Sequence, residues 1–181
     1  MSQQTEEQTI NVGVIGAGGR MGRMLIEAVQ DNPQTTLNAA IERQGSSLVG
    51  ADAGEVAAIG RLEVQIVDDL KAVINDIDVL IDFSLPDATE QNMQICAANK
   101  VAMVIGTTGF NEQQEQVLKE ASKQIAIVYA GNYSTGVNLS LKLLAMAAKA
   151  FGNDADVEVI EAHHKHKIDA PSGTAYMMAE A

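Results

Sequence analysis

The chain has no tryptophan, only 3% aromatic residues and a single cysteine, and positive charge is scarce, with 12 Lys and Arg against 24 Asp and Glu. Each shortage excludes something. One cysteine, Cys96, cannot form an intrachain disulfide, and within an apolar helical stretch it reads as a small buried side chain. Few aromatic rings leave no stacking platform for bases or sugars. A formal net charge of -12 has the wrong sign for gripping a phosphate backbone, so nucleic acid is excluded as a general partner. No apolar run approaches the roughly 20 residues that span a bilayer, and Met1 to Thr9 is polar and acidic rather than leader-like. The expectation is a soluble, cytoplasmic protein with no membrane partner. Its 181 residues suffice for one good core, or one domain and part of another.

What is present is a regular alternation of strand and helix. Ile10 to Ile15 is a short apolar run of the kind buried in parallel sheets, and it leads into Gly16-Ala-Gly-Gly-Arg-Met-Gly22. A helix follows, with Met21, Met24, Leu25, Ala28 and Val29 at helical spacing, and it ends near Asn32-Pro33. Strands are expected at 36–41, 64–67, 78–83, 101–105 and 125–129. Helices are expected from the Asp68-Asp69 cap to Asn75, over 87–98, and from Asn111 to Lys123. Residues 44–60 read as a loop with a short helical piece. This pattern predicts an α/β fold with a Rossmann-type doubly wound parallel sheet. After Ser134 it changes. Residues 137–151 form a long helix with apolar residues on most sides, expected to be covered on several of them, and 156–162 alternates like a strand. The domains therefore read as 1–133, the α/β part, and 134–181, the start of an α+β part.

The glycine loop has the context that a cofactor site needs: a strand before it and a helix after it. Gly16 permits the tight turn, Gly18 and Gly19 let backbone approach a pyrophosphate, and Gly22 allows close helix–sheet contact. The spacing is Gly16-x-x-Gly19-x-x-Gly22, with Met21 where the commoner fingerprint has its last glycine. A tight turn without a ligand would use the same residues. Glu42, at the end of the second strand, suits the adenosine ribose hydroxyls, and Arg43 beside it suits a 2′-phosphate, so both NADH and NADPH are admitted. A solvated ion pair is the plainer reading of those two. Gly106-Thr-Thr-Gly109 and Ala130-Gly-Asn-Tyr133 follow strand C-termini, where open parallel sheets bind ligands, and Phe83-Ser84 is a weaker case.

All three histidines, His163, His164 and His166, fall in one segment with Lys165 and Lys167, just before Pro171-Ser-Gly-Thr174. Those last four residues read as a helix start with Pro in its first turn, and backbone N–H groups there favour anions. Imidazoles, ammonium groups and a helix N-terminus together suit a small acidic substrate that must be held and protonated. A solvated basic stretch is the bland alternative. A metal site is not expected, since His-x-x-His on an irregular loop lacks converging ligands. A histidine with a lysine three or four residues on is a natural general-acid pair.

Taken together, Gly16-Ala-Gly-Gly-Arg-Met-Gly22, Asp82-Phe-Ser84, Gly106-Thr-Thr-Gly-Phe110, Asn132-Tyr-Ser134 and Glu161-Ala-His-His-Lys-His-Lys-Ile-Asp-Ala-Pro-Ser-Gly-Thr174 resemble the 4-hydroxy-tetrahydrodipicolinate (dihydrodipicolinate) reductase family of lysine and diaminopimelate biosynthesis. The resemblance implies hydride transfer from NADH or NADPH to a small cyclic dicarboxylate, with no metal. It places the cofactor on Gly16, Ala17, Gly18, Gly19, Arg20, Met21, Glu42, Arg43, Gly106, Thr107, Thr108, Ala130, Gly131, Asn132 and Tyr133. It makes His163 the acid/base residue and Lys167 the proton donor, with His164, Gly173 and Thr174 on the substrate carboxylate. Family members form homotetramers and continue past Ala181, so the chain reads as C-terminally truncated. The 156–162 strand is then expected to have an unpaired edge and the 137–151 helix uncovered apolar surface. The competing readings are another two-domain NAD(P)-dependent dehydrogenase and a nucleotide-binding module without turnover.

Overall fold

The computed structural model describes residues 9–165 and 171–181, and the chain divides into two compact units between Tyr129 and Ala130. The first unit contains six strands: β1 (Ile10–Ile15), β2 (Thr35–Ile41), β3 (Ile66–Val67), β4 (Val79–Asp82), β5 (Ala102–Ile105) and β6 (Ile127–Tyr129). All pair in parallel, in the order β3-β2-β1-β4-β5-β6. The doubly wound sheet read from the sequence is present. Its helices are α1 (Arg20–Asp31), α2 (Ala53–Ala57), α3 (Pro86–Asn99) and α4 (Glu112–Ser122).

Each face of the sheet has its own core. Val12, Val14, Leu37, Ala40 and Ile66 pack with Ile26 and Val29 of α1. Ala39, Ile41, Leu80, Met103 and Ile105 pack with Met93, Cys96 and Ala97 of α3 and Ala121 of α4. Leu37 and Ala40 can share a face because the β1–β2 register skips Asn38: Val12 pairs Leu37, but Gly13 pairs Ala39. An extra residue in a strand inverts the in–out alternation beyond it. Cys96 is fully buried, as expected, and burial pushes its thiol up to about 12.

Several expectations need correcting. In α1 the buried stripe is Gly22, Ile26 and Val29, whereas Met21 and Met24 are exposed. Gly22 fixes that face, since only a glycine lets the helix touch the preceding turn. Residues 68–76 form two short 3-10 turns, Leu70–Ala72 and Ile74–Asp76, rather than one helix. Asp69 caps Lys71, and Val73 at φ -124°, ψ 2° leaves the helical region between the two turns. The 44–65 excursion is held by one side chain. Asp52 accepts backbone N–H bonds from Gly54, Glu55, Leu62 and Glu63 at 2.9, 3.1, 3.0 and 2.7 Å. These bonds, that from Leu62 first, hold its carboxyl below the usual range.

The second unit contains α5 (Thr135–Phe151), a 3-10 turn at Gly152–Asp154, and α6 (Gly173–Glu180). α5 starts at Ser134, whose Oγ accepts the Val137 N–H at 3.3 Å, and it packs against α6. No residue of α5 is fully buried, so the expected cover on several sides is not found among the described residues. Leu139, Leu143 and Met146 form an exposed stripe on it. The 156–162 strand is likewise not formed among the described residues, and Val157, Val159 and Ile160 are exposed. A strand exists only as part of a ladder, and no described residue supplies the partner. No helix of the described residues is long and apolar enough to cross a membrane.

Candidate functional site

The chain leaves β1 through Gly16, whose φ of +70° is left-handed, and the Gly16 and Ala17 N–H groups bond Ile41 O at 2.8 and 3.1 Å. These bonds fasten the turn to the end of β2. A Cβ on Gly22 would lie 2.0 Å from Gly16 O and 2.9 Å from Ala17 Cα, so a side chain there would drive α1 off the loop. Gly19 is the N-cap of α1 and offers no side-chain cap. This is the construction that leaves backbone N–H groups for an anion at a helix start. Arg20 and Met21 open the first turn of α1, and both are exposed.

Glu42 does more than stand at the end of β2. Its Oε1 accepts the Gly18 N–H at 2.8 Å and its Oε2 the Arg43 N–H at 3.2 Å. A Cβ on Gly18 would lie 2.2 Å from Leu48 Cδ1 and 3.2 Å from Glu42 Oε1. The acidic residue and the glycine loop are thus built onto each other, with Leu48 packed over them. Beside them, where β1 separates β2 from β4 and the strand order reverses, lies a cleft of about 730 Å³. Gly16, Glu42, Arg43, Ser84 and Asn92 line it. Open parallel sheets bind ligands at this position.

The ends of β4 and β5 are joined by a polar network. Buried Asp82 accepts the Ser84 N–H at 2.9 Å, the Ser84 hydroxyl at 2.6 Å and the Asn92 amide at 2.8 Å. The Thr89 and Thr107 hydroxyls meet at 2.8 Å, and the Gly106 N–H bonds Asp82 O at 2.9 Å. Gly106 must be glycine, because a Cβ would fall 2.1 Å from the Phe83 ring. Thr107 is buried in this network and Thr108 is exposed at the surface of the same loop. Sequence reasoning gave Asp82, Thr89 and Asn92 no role. The available signal was a carboxylate at the last position of a fully apolar strand, which demands partners. Leu48 left no signal at all.

In the second unit, Ala130, Gly131, Asn132 and Tyr133 precede α5. Asn132 ties them to it, its Oδ1 accepting the Ser134 N–H at 2.8 Å and its carbonyl the Asn138 amide at 3.0 Å. His163 and His164 lie on the segment between the helices, and His163 Nε2 is 2.7 Å from Glu161 Oε2. Ser172, not Pro171, caps α6: its Oγ accepts the Ala175 N–H at 3.1 Å. Pro171 therefore precedes the cap, and Gly173 and Thr174 are the first two helical residues. Lys167 lies outside the described residues. The Ser172 and His163 contacts hold the Glu161 carboxyl at about 2. No cluster of three or more His, Cys, Asp or Glu is placed to hold a metal among the described residues.

Residues 10–133 match the family model for the N-terminal part of dihydrodipicolinate reductase, and residues 136–181 match that for its C-terminal part. A 4-hydroxy-tetrahydrodipicolinate reductase of Psychrobacter arcticus is 90% identical over 181 residues, which is 100% of this chain and 65% of the relative. One of Acinetobacter baylyi is 59% identical over 170 residues, covering 94% of this chain and 62% of the relative. Among solved structures, a dipicolinate-bound dihydrodipicolinate reductase of a Paenisporosarcina species superposes with a TM-score of 0.74 at 31% identity, over 96% of this chain and 65% of that one. The chain spans a little under two thirds of the length of these relatives.

Proposed function

The chain belongs to the dihydrodipicolinate reductase family, and on that footing we propose that it carries the cofactor site and catalytic segment of a pyridine-nucleotide-dependent reductase acting on 4-hydroxy-tetrahydrodipicolinate. In this reading residues 1–133 bind the dinucleotide and residues 134–181 begin the substrate-binding and oligomerisation domain. The observation that carries it is the mutual fit of Gly16, Gly18, Gly22 and Glu42 at the point where the strand order reverses. A glycine loop that takes a left-handed φ at Gly16 and admits no Cβ against its backbone at Gly22, with a carboxylate fixed beside it, suits a pyrophosphate and the ribose next to it.

Gly16 to Met21 hold the pyrophosphate. Glu42 takes the ribose hydroxyls of NADH, and Arg43 takes the 2′-phosphate of NADPH. Gly106, Thr107, Thr108 and Ala130 to Tyr133 serve the nicotinamide end. The cofactor, when bound, supplies the hydride. The protein holds the ring, with His164 and the Gly173 and Thr174 N–H groups on its carboxylate. His163 acts as the acid/base residue and Lys167 as the proton donor for the proton that the ring gains along with the hydride. The family's homotetramer and a cytoplasmic location complete the proposal.

Calorimetry tests it directly. NADH and NADPH are each titrated into the protein, and then 2,6-pyridinedicarboxylate, the dicarboxylate held by the Paenisporosarcina relative, is added to the loaded form. Both nucleotides are expected to bind, and the dicarboxylate is expected to bind the loaded form. Failure of both nucleotides would leave the glycine loop a mere turn and overturn the reading.

A further inference from the structure

The Glu161 carboxylate makes bonds in two directions. Oε2 engages His163 Nε2 at 2.7 Å, and Oε1 accepts the backbone N–H of Ser172 at 2.8 Å. Ser172 is buried and is the cap of α6, so it stands at the first turn that holds Gly173 and Thr174. One carboxylate therefore connects the imidazole to the helix start, its own partner there lying eleven positions along the chain. A surface ion pair of this separation would normally contribute little, because both side chains are free to leave it. Here the acidic partner is anchored by the backbone N–H of the buried capping serine, and its side chain is only 24% exposed. It has no comparable freedom.

We propose that Glu161 is a positioning residue for the reduction, fixing the His163 ring and locking it in register with the anion-binding start of α6. This rests on the role given to His163 above. A carboxylate accepts only, so a neutral imidazole facing it must carry its hydrogen on Nε2. That leaves Nδ1 as the ring nitrogen through which a proton passes to or from the substrate. The arrangement follows the general logic of an acid/base histidine held in one tautomer by a carboxylate behind it. It also couples two tasks. If Glu161 moves, the imidazole loses its orientation, and the helix start loses its link to it.

The test uses the full chain and two independent readouts. The first is the ¹⁵N signature of the His163 ring at neutral pH. The wild type is expected to show hydrogen on Nε2, and Glu161→Ala a mixture of tautomers. The second is steady-state turnover of 4-hydroxy-tetrahydrodipicolinate with NADH. Glu161→Ala is expected to lower kcat about 10- to 100-fold, as part of the roughly 10²–10⁴-fold that a positioned acid or base contributes, with KM for NADH unchanged. Glu161→Asp, which keeps the charge on a shorter arm, is expected to recover part of that loss. Wild-type kcat in Glu161→Ala, or an Nδ1–H tautomer in the wild type, would overturn the proposal while leaving the reductase reading intact. The wild-type spectrum decides even if the alanine variant does not fold. Wild-type protein without turnover, but with the Nε2–H tautomer, would overturn the reductase reading and the positioning role with it.

Discussion

At the scale of single residues, the cofactor site depends on the absence of atoms as much as on their presence. Gly22 faces Gly16 O so closely that a methyl group would meet it at 2.0 Å, and both atoms belong to backbone that other bonds hold in place. The loop must therefore shift rather than a side chain rotate. Gly22→Ala is expected to lose NADH binding by more than about 10-fold in calorimetry and to destabilise the fold by about 1–3 kcal/mol, the usual cost of overfilling a packed contact. Gly45→Ala is the contrasting control for packing: it has open space around it, so its cost comes only from its φ of +75°. Gly16 and Gly22 were legible from spacing because each serves a local need, a left-handed φ at Gly16 and contact with the Gly16 and Ala17 backbone at Gly22. Leu48 was not, because what it packs against, Gly18, lies thirty positions earlier in a segment with no periodicity. Glu161 was visible only as part of a motif. Its partner Ser172 is brought to it by the fold, and no spacing rule pairs the two.

At the scale of elements, legibility follows how local the causes are. α4 shows its beginning in four letters: Asn111 Oδ1 accepts the Gln114 N–H at 2.9 Å, and Gln114 Oε1 accepts the Asn111 N–H at 3.1 Å. Gln114 is also buried and donates to Asp87 Oδ1 at 2.9 Å, so the same cap fastens α4 to α3. Asn111→Ala is expected to cost about 1 kcal/mol in denaturant unfolding, and Gln114→Ala more, since it loses the cap and the α3 link and leaves a gap. Equal costs for the two would show that the link to Asp87 contributes nothing. The central strands β4 and β5 were legible as apolar runs because their side chains are buried or half-buried on both faces. The skip at Asn38 was not, since an extra residue changes the partner's register and not the composition of the strand. Residues 156–162 alternate like a strand, yet alternation states only a preference. A ladder needs a second chain segment, and its identity is not written in the first.

At the scale of the whole molecule, two surface properties oppose each other. A net charge of -12 drives copies apart, whereas the exposed Leu139, Leu143 and Met146 stripe of α5 favours association. Salt screens the first and leaves the second, since the Debye length falls from about 10 Å at 0.1 M to about 3 Å at 1 M. Sedimentation is expected to show self-association rising with salt and abolished by Leu143→Glu with Met146→Glu. Association unchanged by the double substitution would assign it to another surface. The parallel sheet has a further consequence. Every turn that serves the proposed cofactor site in the first unit, at Gly16, Glu42, Ser84 and Gly106, leaves the C-terminal end of a strand. The returning turns, at Asn32 to Gln34, at Lys100 and at Lys123, gather at the opposite rim. Chemistry and connectivity are thus kept on separate rims, and the second can be rewritten without consulting the first. For a lineage, that rim is where length can drift without loss of function. For an experimenter, it is where a dye or an affinity handle can be attached without crowding the nucleotide.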